Sequence, residues 1–153
     1  MAVSAFTFTD PGFLACLKCD INVEDDTIVA VLIDNAHTPN KETEDTYADI
    51  SANVCTDGDY APQTVTGLAW TDTGSRTFKL DHSLINFGDA VTIAARYCYF
   101  IKQEGGSPAG TDLIVGYYDL NDGGAANVSS TASDFEVDAN ASNGAFTQTI
   151  TPS

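Results

Sequence analysis

The sequence predicts a mainly β single domain spanning 1–153, an antiparallel sandwich that is jelly-roll-like or barrel-like, with one short N-terminal helix. Three observations carry that expectation. The chain has 153 residues, the length of one domain, and a chain of that size buries roughly 70% of its unfolded surface without disulfides or a metal. From residue 63 onward, short runs rich in β-branched and aromatic residues recur at regular intervals. Between them stand turn-forming groups, Thr71–Gly74, Asn86–Asp89, Gly105–Pro108 and Asn121–Gly124, each supplying Gly or Pro where the backbone must turn.

The elements follow in order. Residues 1–9 are a candidate N-terminal arm, an apolar stretch that would add as an edge strand to a neighbouring subunit, with Phe6 and Phe8 as candidate subunit contacts. Residues 11–19 predict a helix, with Asp10 as N-cap and Pro11 at the first helical position, where a missing N–H costs nothing. Its apolar stripe is Phe13, Leu14, Leu17 and Ile21, expected to face the core. After the acidic turn Glu24–Asp26, residues 27–34 are nearly continuous in β-branched residues and predict a strand buried on both faces. Residues 36–61 are a polar excursion with one helical turn near Tyr47 to Ile50. Further strands are expected at 63–70, 75–80, 90–102, 112–119, 133–138 and 145–150. The longest is expected to be central. By period two, Val91, Ile93, Ala95, Tyr97, Tyr99 and Ile101 share one face, and Thr92, Ala94, Arg96, Cys98 and Phe100 the other.

Charge narrows the partners. The chain has 22 acidic and 6 basic residues, a formal net charge of −16. Such a field repels phosphate backbones, and Lys and Arg form no cluster, so no nucleic acid and no anionic membrane surface is expected as a partner. The N-terminus lacks a basic head followed by a long apolar run, so no secretory signal is expected. In a reducing cytoplasm the four cysteines would be thiols.

Candidate chemistry is sparse. Cys16-x-x-Cys19 resembles a redox or zinc half-site, but neither a βαβ setting nor a second paired spacing accompanies it, and small buried hydrophobes are the favoured reading. Asp119–Gly124 looks like part of a calcium loop, with the wrong spacing and Ser130 where a bidentate Glu is needed. The two histidines, His37 and His82, stand apart from any Gly-x-Ser-x-Gly turn. No catalytic residue and no cofactor is expected. Arg96, in the middle of an apolar strand, predicts a structural ion pair with a neighbouring carboxylate such as Asp34 or Asp119. Tyr60 and Trp70 flank a strand and are candidate contacts for a partner subunit or a sugar, with core packing favoured over either.

Several segments in series resemble a family of small virion proteins of tailed phages. They are Asp26-Thr-Ile-Val-Ala-Val-Leu32, Ala36-His-Thr-Pro-Asn40, Ser51-Ala-Asn53, Gly58-Asp-Tyr60, Thr92-Ile-Ala-Ala-Arg-Tyr97, Leu113-Ile-Val-Gly-Tyr-Tyr-Asp119 and Asn143-Gly-Ala-Phe-Thr147. The resemblance implies a non-enzymatic capsid decoration (cement) protein on the outer head surface. It would be a homotrimer that braces the major capsid protein and is assembled in the host cytoplasm. A protein so acidic suits the outside of a head better than a lining against packed genome. The alternatives are a receptor- or glycan-binding module of a tail fibre, baseplate or neck, and, further off, a glycosidase or metalloprotein.

Overall fold

The computed structural model describes residues 3–139 and 144–149. In chain order the strands are β1 (Thr7–Phe8), β2 (Ile28–Ile33), β3 (Gln63–Thr64), β4 (Ala69–Gly74), β5 (Thr77–Asp81), β6 (Ile85–Asn86), β7 (Ala94–Ala95), β8 (Tyr97–Lys102), β9 (Leu113–Asp119), β10 (Val128–Ser129), β11 (Glu136–Val137) and β12 (Phe146–Thr149). Among the described residues one α-helix, α1 (Asp10–Lys18), lies between β1 and β2. The central sheet has the order β1-β9-β8-β2-β3, a second sheet has the order β12-β5-β4, and β10-β7 and β11-β6 form two-stranded pairs. All pairings are antiparallel. The domain is mainly β and sandwich-like; among the described residues the sheets do not close into a barrel.

β2 organises the interior. It pairs with β8 on one side and β3 on the other, and all six of its residues are buried. Strand alternation sends Ile28, Ala30 and Leu32 into the larger core, with Phe6, Phe100, Tyr118, Leu80 and Val137. Val29, Val31 and Ile33 enter a smaller core with Ile50, Tyr99, Ile101 and Ile114. The polar excursion covers this second core, because its 3₁₀ turns, Tyr47–Asp49 and Ser51–Asn53, bracket the buried Ile50.

The expected strand 90–102 is broken at Arg96. β7 belongs with β10, whereas β8 joins the central sheet. The Arg96 N–H donates to Ile33 O at 2.7 Å, and its carbonyl accepts from Leu120 N at 2.9 Å, so the residue acts as a bulge that carries the chain from one sheet to the next. The alternation slips there. Ile93 and Ala95 lie in the larger core with Cys98 and Phe100, while Tyr99 and Ile101 lie in the smaller.

Strand 63–70 is also interrupted: only 63–64 and 69–70 of it are extended in sheets, and β4 continues through the expected turn at 71–74. The reversal falls on Ser75 and Arg76, with φ of 53° and 62°. Both lie in the left-handed region, as a two-residue hairpin of the right twist requires. The expected strands 133–138 and 145–150 contract to β11 and β12; residue 150 lies outside the described residues.

The N-terminal segment differs most from expectation. Residues 3–9 are no free arm. The Ser4 N–H donates to Asp119 O at 2.8 Å, Phe6 N–H to Ala145 O at 2.9 Å, and β1 pairs with β9 within the same chain. Phe6 and Phe8 are buried, with the Phe6 ring against Phe8, Phe100 and Tyr118 at 5.0–5.3 Å. The room for this comes from Gly116, where a Cβ would strike Thr7 O and the Phe6 ring. Neither phenylalanine is available to a second subunit. Residues 1 and 2 lie outside the described residues.

α1 is capped by Thr9, not Asp10: Thr9 Oγ1 accepts from Gly12 N at 3.1 Å, and Pro11 is the second helical residue. The helix is also turned over relative to its predicted stripe. It buries Gly12 and Ala15, while Phe13, Leu14 and Leu17 face outward; of that stripe only Ile21, beyond the helix, is buried. A Cβ at Gly12 would run into the carbonyl oxygens of Ile114 and Val115, so the helix rests on the β9 backbone through its smallest side chains.

Candidate functional site

His37, His82 and Arg96, which the sequence singles out for chemistry, are engaged within the fold. His82 is buried after β5. Its Nδ1 lies 2.7 Å from Ser83 O, an acceptor only, so Nδ1 carries the proton and Nε2 accepts from the Tyr118 hydroxyl at 2.7 Å. Burial lowers the His82 pKa below its ordinary value, against smaller opposing effects of the Ser83 carbonyl, Asp81 and Asp138.

His37, Tyr99 and Glu44 form a second buried node above the smaller core. Tyr99 donates its only hydroxyl proton to Glu44 Oε2 at 2.8 Å. His37 Nε2, 3.0 Å from both the Tyr99 hydroxyl and Glu44 Oε1, is therefore the protonated nitrogen facing them. Burial alone would raise the Glu44 pKa. Hydrogen bonds from His37, the Asn40 N–H and Tyr99 outweigh it and lower the value. The carboxylate thus ties the polar excursion to β8.

Arg96 makes a bidentate pair with Asp119, Nε to Oδ1 and Nη2 to Oδ2, both at 2.7 Å. This pair holds the Asp119 carboxyl below its ordinary range, against the smaller effect of burial. The guanidinium also lies 5.1 Å over the Tyr97 ring. Asp34 instead closes its own turn by accepting from Ala36 N. In the calcium-like loop, Asp119 is taken by Arg96 and the Asn121 N–H. Among the described residues no group of His, Cys, Asp and Glu converges as metal ligands do.

The cysteines divide. Cys55 and Cys98 are buried, Cys16 is half-buried and Cys19 is exposed, and all four are free. The reading of Cys19 as a small core residue is corrected by its position as the left-handed C-cap of α1, φ 63°. Cys16 lies in the last turns of α1, whereas a reactive thiol gains from a helix N-terminus. Burial and Asp26 push its pKa up to about 11.

Tyr60 is half-buried, its hydroxyl accepting from Leu32 N at 3.0 Å and its ring stacked 6.2 Å from Phe87. It is a strut more than a subunit contact. Trp70 differs. It is the second residue of β4, on the side of the sheet shared with Leu80 and Phe146, yet remains 39% exposed. Its ring stacks on Phe8 at 6.3 Å, and Phe8 contacts Phe13 of α1 at 5.5 Å. Further along the hairpin, Phe78 lies on the same side as Leu80, directly opposite Asp72.

The result is one apolar face running from α1 across Trp70 onto the β4–β5 hairpin. Leu17 is 67% exposed, Phe13 41% and Phe78 37%, while Leu14, 48% exposed, lies on the other flank of α1 beside Lys18, Asp45 and Leu113. An open groove beside Trp70 is lined by Cys16, Cys19, Ile21, Asn22, Val23 and Trp70. Sequence reasoning found Trp70 but assigned Phe13, Leu14 and Leu17 to the core and passed over Phe78. A legible signal was present: Gly12 and Ala15, three residues apart in the helix, offer a small-residue face for close packing against backbone.

Compared with known proteins, the chain matches no family model, no curated protein and no solved structure. Among the described residues no helix is long and apolar enough to cross a membrane.

Proposed function

We propose that the chain is a non-enzymatic structural protein of a tailed-phage particle, a decoration (cement) protein that braces the outer head surface against the major capsid protein. The observation that carries the binding role is a contrast. His37, His82, Arg96 and Glu44 are engaged inside the fold, while an apolar, largely aromatic face is left open on a strongly acidic body. Large side chains exposed together mark interaction surfaces in otherwise polar proteins. The phage assignment is supported by the series of sequence motifs. The net charge of −16 supports an outward position, away from packed nucleic acid. Trimerisation and assembly in the host cytoplasm belong to the same reading.

A second reading, a receptor- or glycan-binding module of a tail fibre, baseplate or neck, is favoured by one observation: the exposed aromatics Phe13, Trp70 and Phe78 gather on one side of the domain. Copy number separates the two. Quantitative mass spectrometry of purified particles is expected to give a fixed, large fraction of one copy per major capsid subunit. A handful of copies per particle would reject the head assignment in favour of the tail reading.

A further inference from the structure

The geometry points to the occupant of the open face: we propose that α1 and the β4–β5 hairpin together dock a different protein whose contact surface has an apolar centre flanked by lysine and arginine. This deepens the binding role proposed above and rests on it, but not on which particle or which part of it the protein belongs to.

The orientation of α1 is the first argument. An amphipathic helix ordinarily turns its large apolar side chains inward. Here the inner contact is made by Gly12 and Ala15, so closely that a Cβ at Gly12 has no room against β9. Rolling the helix to bury Leu17 would drive a large side chain into backbone carbonyls. The outward Phe13 and Leu17 are therefore fixed in place by the packing beneath them, and the surface is preformed.

Charge selects the partner. Asp10 lies one helical turn before Phe13 and Leu14, Glu24 accepts the Trp70 N–H at 2.7 Å, and Asp72 stands opposite Phe78. All three are exposed; the cations on the two docking elements are Lys18, Arg76 and Lys79, and Lys79 is held by Asp81 at 2.8 Å. A second copy of this chain docked through this same face would bring the same acids to it, so at this face charge complementarity favours a basic partner over a second copy. A sugar fits less well. One face of the Trp70 ring is taken by Phe8, and the most exposed member of the patch, Leu17, has no plane on which to stack a pyranose.

Trp70 is the chain's single tryptophan, so its emission reports occupancy of this face directly. The full chain is titrated with two synthetic amphipathic peptides sharing one leucine pattern, one flanked by lysine and arginine, the other by glutamate. The basic peptide is expected to shift Trp70 emission to the blue, to bind about tenfold or more tightly than the acidic one, and to weaken as salt rises. Leu17→Glu is the decisive variant. It adds negative charge, so non-specific attraction would grow, yet it places a carboxylate in the apolar centre. Loss of the Trp70 response in this variant, with circular dichroism unchanged, supports the proposal.

Several results overturn it: equal response to both peptides, no response, or a response kept in Leu17→Glu. A blue shift that tracks self-association in sedimentation assigns the face to a second copy and also overturns it, as does a shift on adding oligosaccharide alone. Failure of the parent reading is seen separately. A lattice-level copy number with a silent Trp70 removes this face and leaves the decoration role. A handful of copies with a responding Trp70 removes the head assignment and leaves this face.

Discussion

β2 and β4 are both six-residue strands in antiparallel sheets, yet every residue of β2 is buried and every residue of β4 is exposed. β2, Ile-Val-Ala-Val-Leu-Ile, has a strand on each side and a hydrophobic core on each face. β4, Ala-Trp-Thr-Asp-Thr-Gly, pairs among the described residues only with β5. Along it the Trp70 and Gly74 N–H groups are taken by the carboxylates of Glu24 and Asp72. Acids placed along an edge also discourage a foreign strand from adding there. The same secondary structure thus serves two ends. One sheet holds the fold together by burial on both faces, and the other presents side chains to whatever lies outside.

The largest expected effect tests that division directly. Leu32→Ala in β2 should lower stability by about 2–5 kcal/mol through lost burial and a residual cavity, measured by urea unfolding. Thr71→Ala in β4 should change it by less than about 0.5 kcal/mol. Similar losses at the two sites would break the comparison.

Next comes the bulge that joins the sheets. Arg96→Met leaves the Asp119 carboxylate without its bidentate partner and should cost about 1.5–3 kcal/mol. In a double-mutant cycle with Asp119→Leu, the two losses should be strongly non-additive; simple additivity would mean that Arg96 acts through packing alone.

A smaller, pH-dependent effect is expected from the two buried nodes. The His82 pKa is lowered in the fold, so the unfolded chain binds its proton first. The stability this neutral histidine contributes is complete above about pH 6.5 and declines as pH falls through the folded value. Glu44 is also lowered, and its contribution is lost below about pH 4.3. Thermal midpoints should therefore decline in two stages on acidification, with the first stage absent in His82→Gln. A first stage that persists in that variant would assign it to another group.

The smallest effect is on global stability at the open face. Leu17→Ser should alter it by less than about 0.5 kcal/mol, since the side chain is already in water. Hydrogen exchange sharpens the same contrast: amides of β2 and β8 should exchange only through global unfolding, those of β4 and β12 through local opening. Equal protection in both sheets would show that the hairpin belongs to the cooperative unit.

Legibility followed the density of local information. β2 was readable because an unbroken β-branched run bounded by polar turns has few other solutions. The helix was readable in place but not in rotation. Its large residues predicted the buried face, and only the closeness of the β9 backbone made Gly12 and Ala15 the residues that fit. Arg96 was readable as a charge needing a partner, and Asp119 was one of two carboxylates named. That it also breaks the alternation was hidden, because a bulge is created by the strands on either side. Phe6 and Phe8 resembled an arm for the same reason: two strand residues carry no mark of which edge they join.

By itself the sequence determined the β-rich class, the doubly buried strand, the strong acidity and the scarcity of basic side chains, since these depend on composition and on periodicity along the chain. The tertiary structure decided which edge receives the N-terminus, where the long strand changes sheets, and which side of α1 meets water. Those outcomes depend on contacts between residues far apart in the chain, where the close approach of one backbone to another outweighs the local preference of any single side chain.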